Sequence, residues 1–105
     1  MNKYREGDPS KNNQHKIRVQ IVAKGKVQGV YFRQNAQRVC NRYGVTGWVC
    51  NQADGSVETV LEGDKNSVEE VIKWFKVGPP NARVEKIDLK YDRYTGEFQD
   101  FIINH

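Results

Sequence analysis

A nine-residue run, Gly25-Lys26-Val27-Gln28-Gly29-Val30-Tyr31-Phe32-Arg33, separates a two-residue periodicity from a helical one. Upstream, Ile17-Arg18-Val19-Gln20-Ile21-Val22-Ala23 alternates apolar and polar side chains over most of its length, the pattern of a half-buried strand. Downstream, Phe32, Ala36, Val39, Cys40 and Tyr43 recur at helical spacing, which predicts a helix from about Phe32 to Tyr43, stopped by Gly44. The run must turn a strand end into a helix N-terminus, and two glycines four apart let the backbone bend tightly there. Unpaired N–H groups and the positive end of the helix dipole meet at such a junction and favour an anion. Lys26 adds a flexible positive charge, and Arg33 a planar fork able to grip two phosphate oxygens. A cation in the first helical turn opposes the dipole, so Arg33 itself argues for an anionic ligand. Glycine spacing alone also fits an ordinary strand-to-helix loop with a surface arginine.

The remaining pattern defines the order of elements. Val45 to Asn51 reads as a strand, and Ser56 to Glu62 as another with Val57, Thr59 and Leu61 on one face. Asp54-Gly55 between them signals a hairpin, within a loop longer than two residues. Ser67-Val68-Glu69-Glu70 has the form of a capping box opening a second helix, whose apolar face is Val68, Val71, Ile72 and Phe75. Gly78-Pro79-Pro80 ends it. Arg83 to Tyr91 predicts a fourth strand, with a bulge where the alternation slips at Glu85-Lys86, and Phe98 to Ile103 a last one. The order β-α-β-β-α-β plus a short C-terminal strand implies an α+β two-layer sandwich, both helices on one face of an antiparallel or mixed sheet. Trp48 is expected half-buried on the sheet, and Trp74 off the main apolar face of its helix.

Size and composition restrict the function. At 105 residues the chain makes one domain with a single core. No apolar run approaches the roughly 18 residues of a membrane span. Residues 1–16 are polar, carry four basic and two acidic side chains, and lack the apolar stretch of a secretory signal. They read as a disordered tail before a domain at 17–105, and a cytoplasmic address is expected. Since the tail holds +2 of the formal +4, the domain is only mildly basic. His15 and His105, in the tail and at the far end of the sequence, are expected to be solvated and away from any chemistry. Cys40 falls on the buried helix face, and Cys50 directly precedes Asn51. Neither belongs to a metal-ligand pattern, and pairing them in a disulfide would need an oxidising compartment.

The run Gly25 to Arg33 resembles the first signature of the acylphosphatase family. A second stretch, Gly47-Trp48-Val49-Cys50-Asn51-Gln52-Ala53-Asp54-Gly55-Ser56-Val57 followed by Gly63, resembles that family's second signature at the right distance downstream. The resemblance runs from about Ile17 to the C-terminus. It implies the ferredoxin-like arrangement, with the loop after the first strand beside the second strand. It also implies a metal-free, cofactor-free hydrolase that cleaves acyl phosphates to carboxylate and inorganic phosphate. Residue by residue, it puts the catalytic arginine at Arg33 and the catalytic asparagine at Asn51. The phosphate-binding segment falls at Gly25, Lys26, Val27, Gln28, Gly29, Val30 and Tyr31. Phosphate or sulfate is expected to fit the same site, and a monomer without nucleic-acid or membrane partners is expected. Three departures stand out: Cys50 replaces a polar, often basic residue, Gln52 a small hydroxyl residue, and the terminal Asn104-His105 a basic–aromatic pair. The last is expected to leave the cradle untouched.

The rival class is an RNA-recognition module, which shares the β-α-β-β-α-β order and suits a sequence pI of about 9.1. Such modules group aromatics on two central strands, and the first strand here offers Ile, Val and Ala. A non-catalytic phosphate sensor of the same family is a third reading. The presence of both Arg33 and Asn51 argues against it.

Overall fold

The computed structural model describes residues 15–105. The expected polar tail lies outside the described residues up to residue 14, and Lys16 already opens the first strand. The elements are β1 (Lys16–Lys26), α1 (Phe32–Tyr43), β2 (Thr46–Asn51), β3 (Val57–Asp64), α2 (Lys65–Val77), β4 (Arg83–Asp92) and β5 (Phe101–Asn104). They form a five-stranded sheet in the order β4-β1-β3-β2-β5. Strands β1, β3, β4 and β2 pair antiparallel, while β5 runs parallel to β2, so the sheet is mixed.

Alternation fixes which face is buried. Val19, Ile21 and Ala23 of β1, Val49 of β2, and Val57 and Leu61 of β3 point into one core with Phe32, Ala36 and Cys40 of α1 and Val68, Val71, Ile72 and Phe75 of α2. Burying each large side chain contributes roughly 1.5–3 kcal/mol, enough to hold both helices on that face. Trp74 does not stand apart from this core: its ring lies 5.2 Å from both Phe32 and Phe75. A residue off the helix's central stripe can still reach a neighbouring helix when its side chain is this long. Burial also pushes the Cys40 thiol well above its ordinary range, as for a small core residue. Both cysteines are free.

Two element starts differ by more than one residue from the sequence reading. Helix α2 begins at Lys65, with Asp64 at its N-cap making no side-chain cap bond, so Ser67 sits inside the first turn and opens no capping box. Asp64 faces Lys16 instead, at 3.5 Å. Strand β5 starts at Phe101, where pairing with Gly47 begins, because Phe98 is held elsewhere, its ring 5.3 Å from the Arg18 guanidinium. The bulge forms as expected: Lys24 opposes Lys86 and Gly25 opposes Val84, which leaves Glu85 as the extra residue.

Strands β4 and β5 occupy opposite edges, so the chain from Arg93 to Asp100 must cross between them. Glu62 of β3, fully buried, fastens this crossing. Its carboxylate accepts from the Thr95 N–H (2.9 Å), the Thr95 hydroxyl (2.9 Å), the Gly96 N–H (3.0 Å) and the Arg18 guanidinium (2.9 Å). Burial alone would raise this carboxyl, but these four donors outweigh it and hold the group below the usual carboxylate range.

Candidate active site

At the opposite end of the sheet, the chain leaving β1 makes a short loop, residues 27–31, before entering α1. Val27 and Val30 are buried and anchor this loop in the core. Gln28 ties it sideways: its side-chain amide donates to the Gln52 carbonyl (2.8 Å) and the Ser56 carbonyl (2.9 Å), both in the β2–β3 turn. That turn spans Gln52–Ser56, as the Asp54-Gly55 signal required. The Asp54 carboxylate closes it by accepting from the Ser56 hydroxyl (2.6 Å) and the Ser56 N–H (2.9 Å). These two bonds, the hydroxyl foremost, hold the Asp54 carboxyl below its usual value. Asn51 at the end of β2 is thereby fixed beside the loop.

Between them lies a cavity of about 260 Å³ lined by Val27, Gly29, Tyr31, Phe32, Arg33, Gln34 and Asn51. The N–H groups of Gln28, Gly29, Val30 and Tyr31 find no backbone carbonyl acceptor among the described residues. Gly29 holds φ +73°, a conformation a side chain would strain, with open space where a Cβ would stand. Tyr31 also takes a left-handed conformation, at φ 61°, although it is not a glycine, and the residue is 71% exposed. Such a backbone costs an ordinary residue about 1–2 kcal/mol. The Asn35 N–H (3.1 Å) and side-chain amide (2.9 Å) both donate to the Tyr31 carbonyl and hold it in place.

Arg33, half-buried in the first turn of α1, has no carboxylate within 4 Å among the described residues, and no acidic residue shares that turn. Asn51 Oδ1 is buried and has no hydrogen-bond partner, alone among the side-chain atoms of the described residues in this respect. No protein group among the described residues donates to this oxygen, which leaves it free to accept from a water or ligand in the cavity it borders.

The predicted site residues therefore fall into three groups. Gly29, Tyr31, Arg33 and Asn51 line the cavity together. Gln28, Val27 and Val30 hold the loop in shape, Val27 also bordering the cavity. Gly25 and Lys26 remain in β1, paired with Val84 and Arg83. Gly25 is needed for that pairing, since a Cβ there would stand 2.2 Å from the Arg83 carbonyl oxygen.

Two lining residues escaped the sequence reading of the site. Phe32 was legible only as a core residue, and Gln34 is an exposed polar residue on α1 with nothing to distinguish it. His105 is the clear correction. It was expected away from the chemistry, and the C-terminal segment was expected to leave the cradle untouched. Instead its Nδ1 lies 3.3 Å from Arg33 Nη1, because the parallel pairing of β5 carries the end of the sequence back to Asn51.

The family model for acylphosphatase matches residues 19–103. A protein from Pyrobaculum islandicum named acylphosphatase is 54% identical over 88 residues, covering 83% of this chain and 93% of its own length. Among solved structures, acylphosphatase from Bacillus subtilis superposes with a TM-score of 0.82 at 31% identity, over 85% of this chain and 99% of that one. An acylphosphatase from Coxiella burnetii superposes with a TM-score of 0.84 at 28% identity, over 90% of this chain and 99% of that one. These neighbours carry the ferredoxin-like α+β fold expected from the order of elements.

Proposed function

Because this chain belongs to the acylphosphatase family and is an acyl phosphate hydrolase, we propose that Arg33 and the Gly25–Tyr31 segment hold the phosphoryl group while Asn51 orients the attacking water. The observation that carries this reading is the buried, unpartnered Asn51 Oδ1 in the same cavity as Arg33. A water donating one hydrogen to that oxygen is held at a fixed point, and its lone pair is left for phosphorus.

In the proposed reaction the water oxygen bonds to phosphorus and the phosphorus–oxygen bond to the acyl group breaks. The carboxylate leaves with that electron pair, and a phosphoryl oxygen takes the water's proton. Dianionic acyl phosphate and water thus give a carboxylate and monoanionic dihydrogen phosphate. The leaving carboxylate is a weak base and needs little protonation, which suits a cavity lined by no carboxylic acid or imidazole. The work left to the protein is positioning and charge stabilisation. Arg33 suits it with a bidentate fork, and the loop amides suit it with donors that no backbone carbonyl engages.

The proposal includes independence from metal, because the positive charge the transferring group needs is supplied by Arg33 and the amides. Among the described residues no group of three His, Cys, Asp or Glu could hold a metal ion, and no helix is long and apolar enough to cross a membrane. A cytoplasmic monomer acting on a small acyl phosphate is the corresponding proposal for its setting. The test is hydrolysis of benzoyl phosphate with excess chelator. Wild type should turn over, and Arg33→Ala should lose at least about 10³-fold in kcat/KM with its fold intact. A near-normal rate in Arg33→Ala would remove Arg33 from the mechanism.

A further inference from the structure

Among the described residues β4 has a strand neighbour on one side only, and at 10 residues it is the longer of the two sheet edges, β5 having 4. An open edge of this length presents a row of backbone N–H and C=O groups able to continue the sheet. We propose that β4 pairs antiparallel with the β4 of a second copy of this chain, about a two-fold axis at Leu89, joining the two sheets into one.

The faces of the strand follow from its pairing with β1. Ile87, Leu89 and Tyr91 oppose Ala23, Ile21 and Val19, which are fully buried, so they lie on the helix-covered side. Ile87 and Leu89 pack against the core yet stay only half-buried, and Tyr91 is 57% exposed. Lys86, Asp88, Lys90 and Asp92 alternate with them on the open side, and all four are exposed.

A two-fold axis perpendicular to the sheet keeps each face on its own side. With the axis at Leu89, Ile87 of each copy meets Tyr91 of the other, and the two Leu89 side chains meet on the axis. On the open side Asp88 meets Lys90 and Lys86 meets Asp92, each pair formed twice. Moving the axis by one residue destroys this match. At Asp88 it sets Lys86 against Lys90 and Asp88 against its own copy; at Lys90 it sets Asp88 against Asp92 and Lys90 against its own copy. Lysines on an edge strand ordinarily deter pairing. Here their alternation with aspartate admits one register, because unlike charges directly opposite stabilise a strand pair and like charges destabilise it. Within one chain, only Lys86 and Asp88 form an ion pair among these four, at 3.9 Å. None of the residues lining the cavity belongs to β4, so each copy keeps a complete site and the monomer remains the unit that turns over.

Sedimentation equilibrium from micromolar to millimolar protein tests this without reference to turnover. Wild type should pass from monomer to dimer as concentration rises. Asp88→Lys and Lys90→Asp should each weaken association roughly tenfold or more, since each turns two attractive pairs into repulsive ones. The double variant Asp88→Lys/Lys90→Asp restores opposite charges at both pairs and should recover the dimer. Both side chains are exposed, so the variants keep the fold. A wild type that stays monomeric throughout, single reversals that dimerise as wild type does, or a double variant that stays apart would each overturn the pairing. Full protection of the outward-facing β4 amides from hydrogen exchange at the lowest concentration would mean that a segment of the same chain covers the edge, and would overturn it too.

Discussion

The two ends of the sheet treat a buried side-chain oxygen in opposite ways. At one end Glu62 has four donors around one carboxylate, drawn from β1 and from the segment that joins β4 to β5. At the other, Asn51 Oδ1 is buried with no protein donor among the described residues. Both arrangements use polar atoms that water would have satisfied in the unfolded chain. The first recovers that cost within the protein and fixes the chain's path. The second leaves the acceptor to whatever enters the cavity, where a substrate and a water would bind. Polar satisfaction thus separates a structural charge from a functional amide better than burial or residue type does.

The contrast can be broken first at Glu62. Glu62→Gln should destabilise the fold by about 3 kcal/mol in denaturant unfolding, since it removes the charge facing Arg18 and turns a donor toward donors. Turnover per folded molecule should stay within twofold, because the cluster lies at the far end of the sheet. A large loss of kcat without loss of stability would show that the two ends are not separate.

Acid sharpens the same point. The Glu62 carboxyl is held below its ordinary value in the fold, so the stability it contributes is complete above the unfolded carboxyl range of about 4.3 and is lost as pH falls through the depressed folded value. Unfolding free energy should therefore fall with acidification below about pH 5, and fall less steeply in Glu62→Gln. A parallel decline in both proteins would mean that other groups govern acid unfolding. The smallest effect is expected from Thr95→Val, which removes the hydroxyl bond and keeps the backbone one. It should cost about 1 kcal/mol, and no change would make that hydroxyl idle.

Much of this fold is legible in local pattern. Helix α1 runs from Phe32 to Tyr43 as its spacing and Gly44 require, and the slip in alternation at Glu85-Lys86 marks a real bulge. What the pattern could not convey depends on contacts distant in sequence. Glu62 alternates with Leu61 as any solvent-facing residue would, yet it is buried and bonded by Arg18, Thr95 and Gly96, all distant in sequence. A four-residue β5 gives no hint of running parallel to β2, so His105 looked remote from Arg33 although it touches it. The cradle was visible as a strand, two glycines and an arginine before a helix. Asn51 was not, because an asparagine at a strand end has many ordinary uses, and only the family resemblance raised it.

The most direct test places kcat and unfolding free energy side by side for Asn51→Ala, with benzoyl phosphate and chelator for the first and denaturant for the second. We expect kcat to fall by roughly 10²–10³ while stability stays within about 0.5 kcal/mol of wild type, because an unsatisfied acceptor is removed and no internal hydrogen bond is lost. A variant that keeps its rate, or one that loses rate only because it unfolds, would contradict the claim that this oxygen is left open for the reaction.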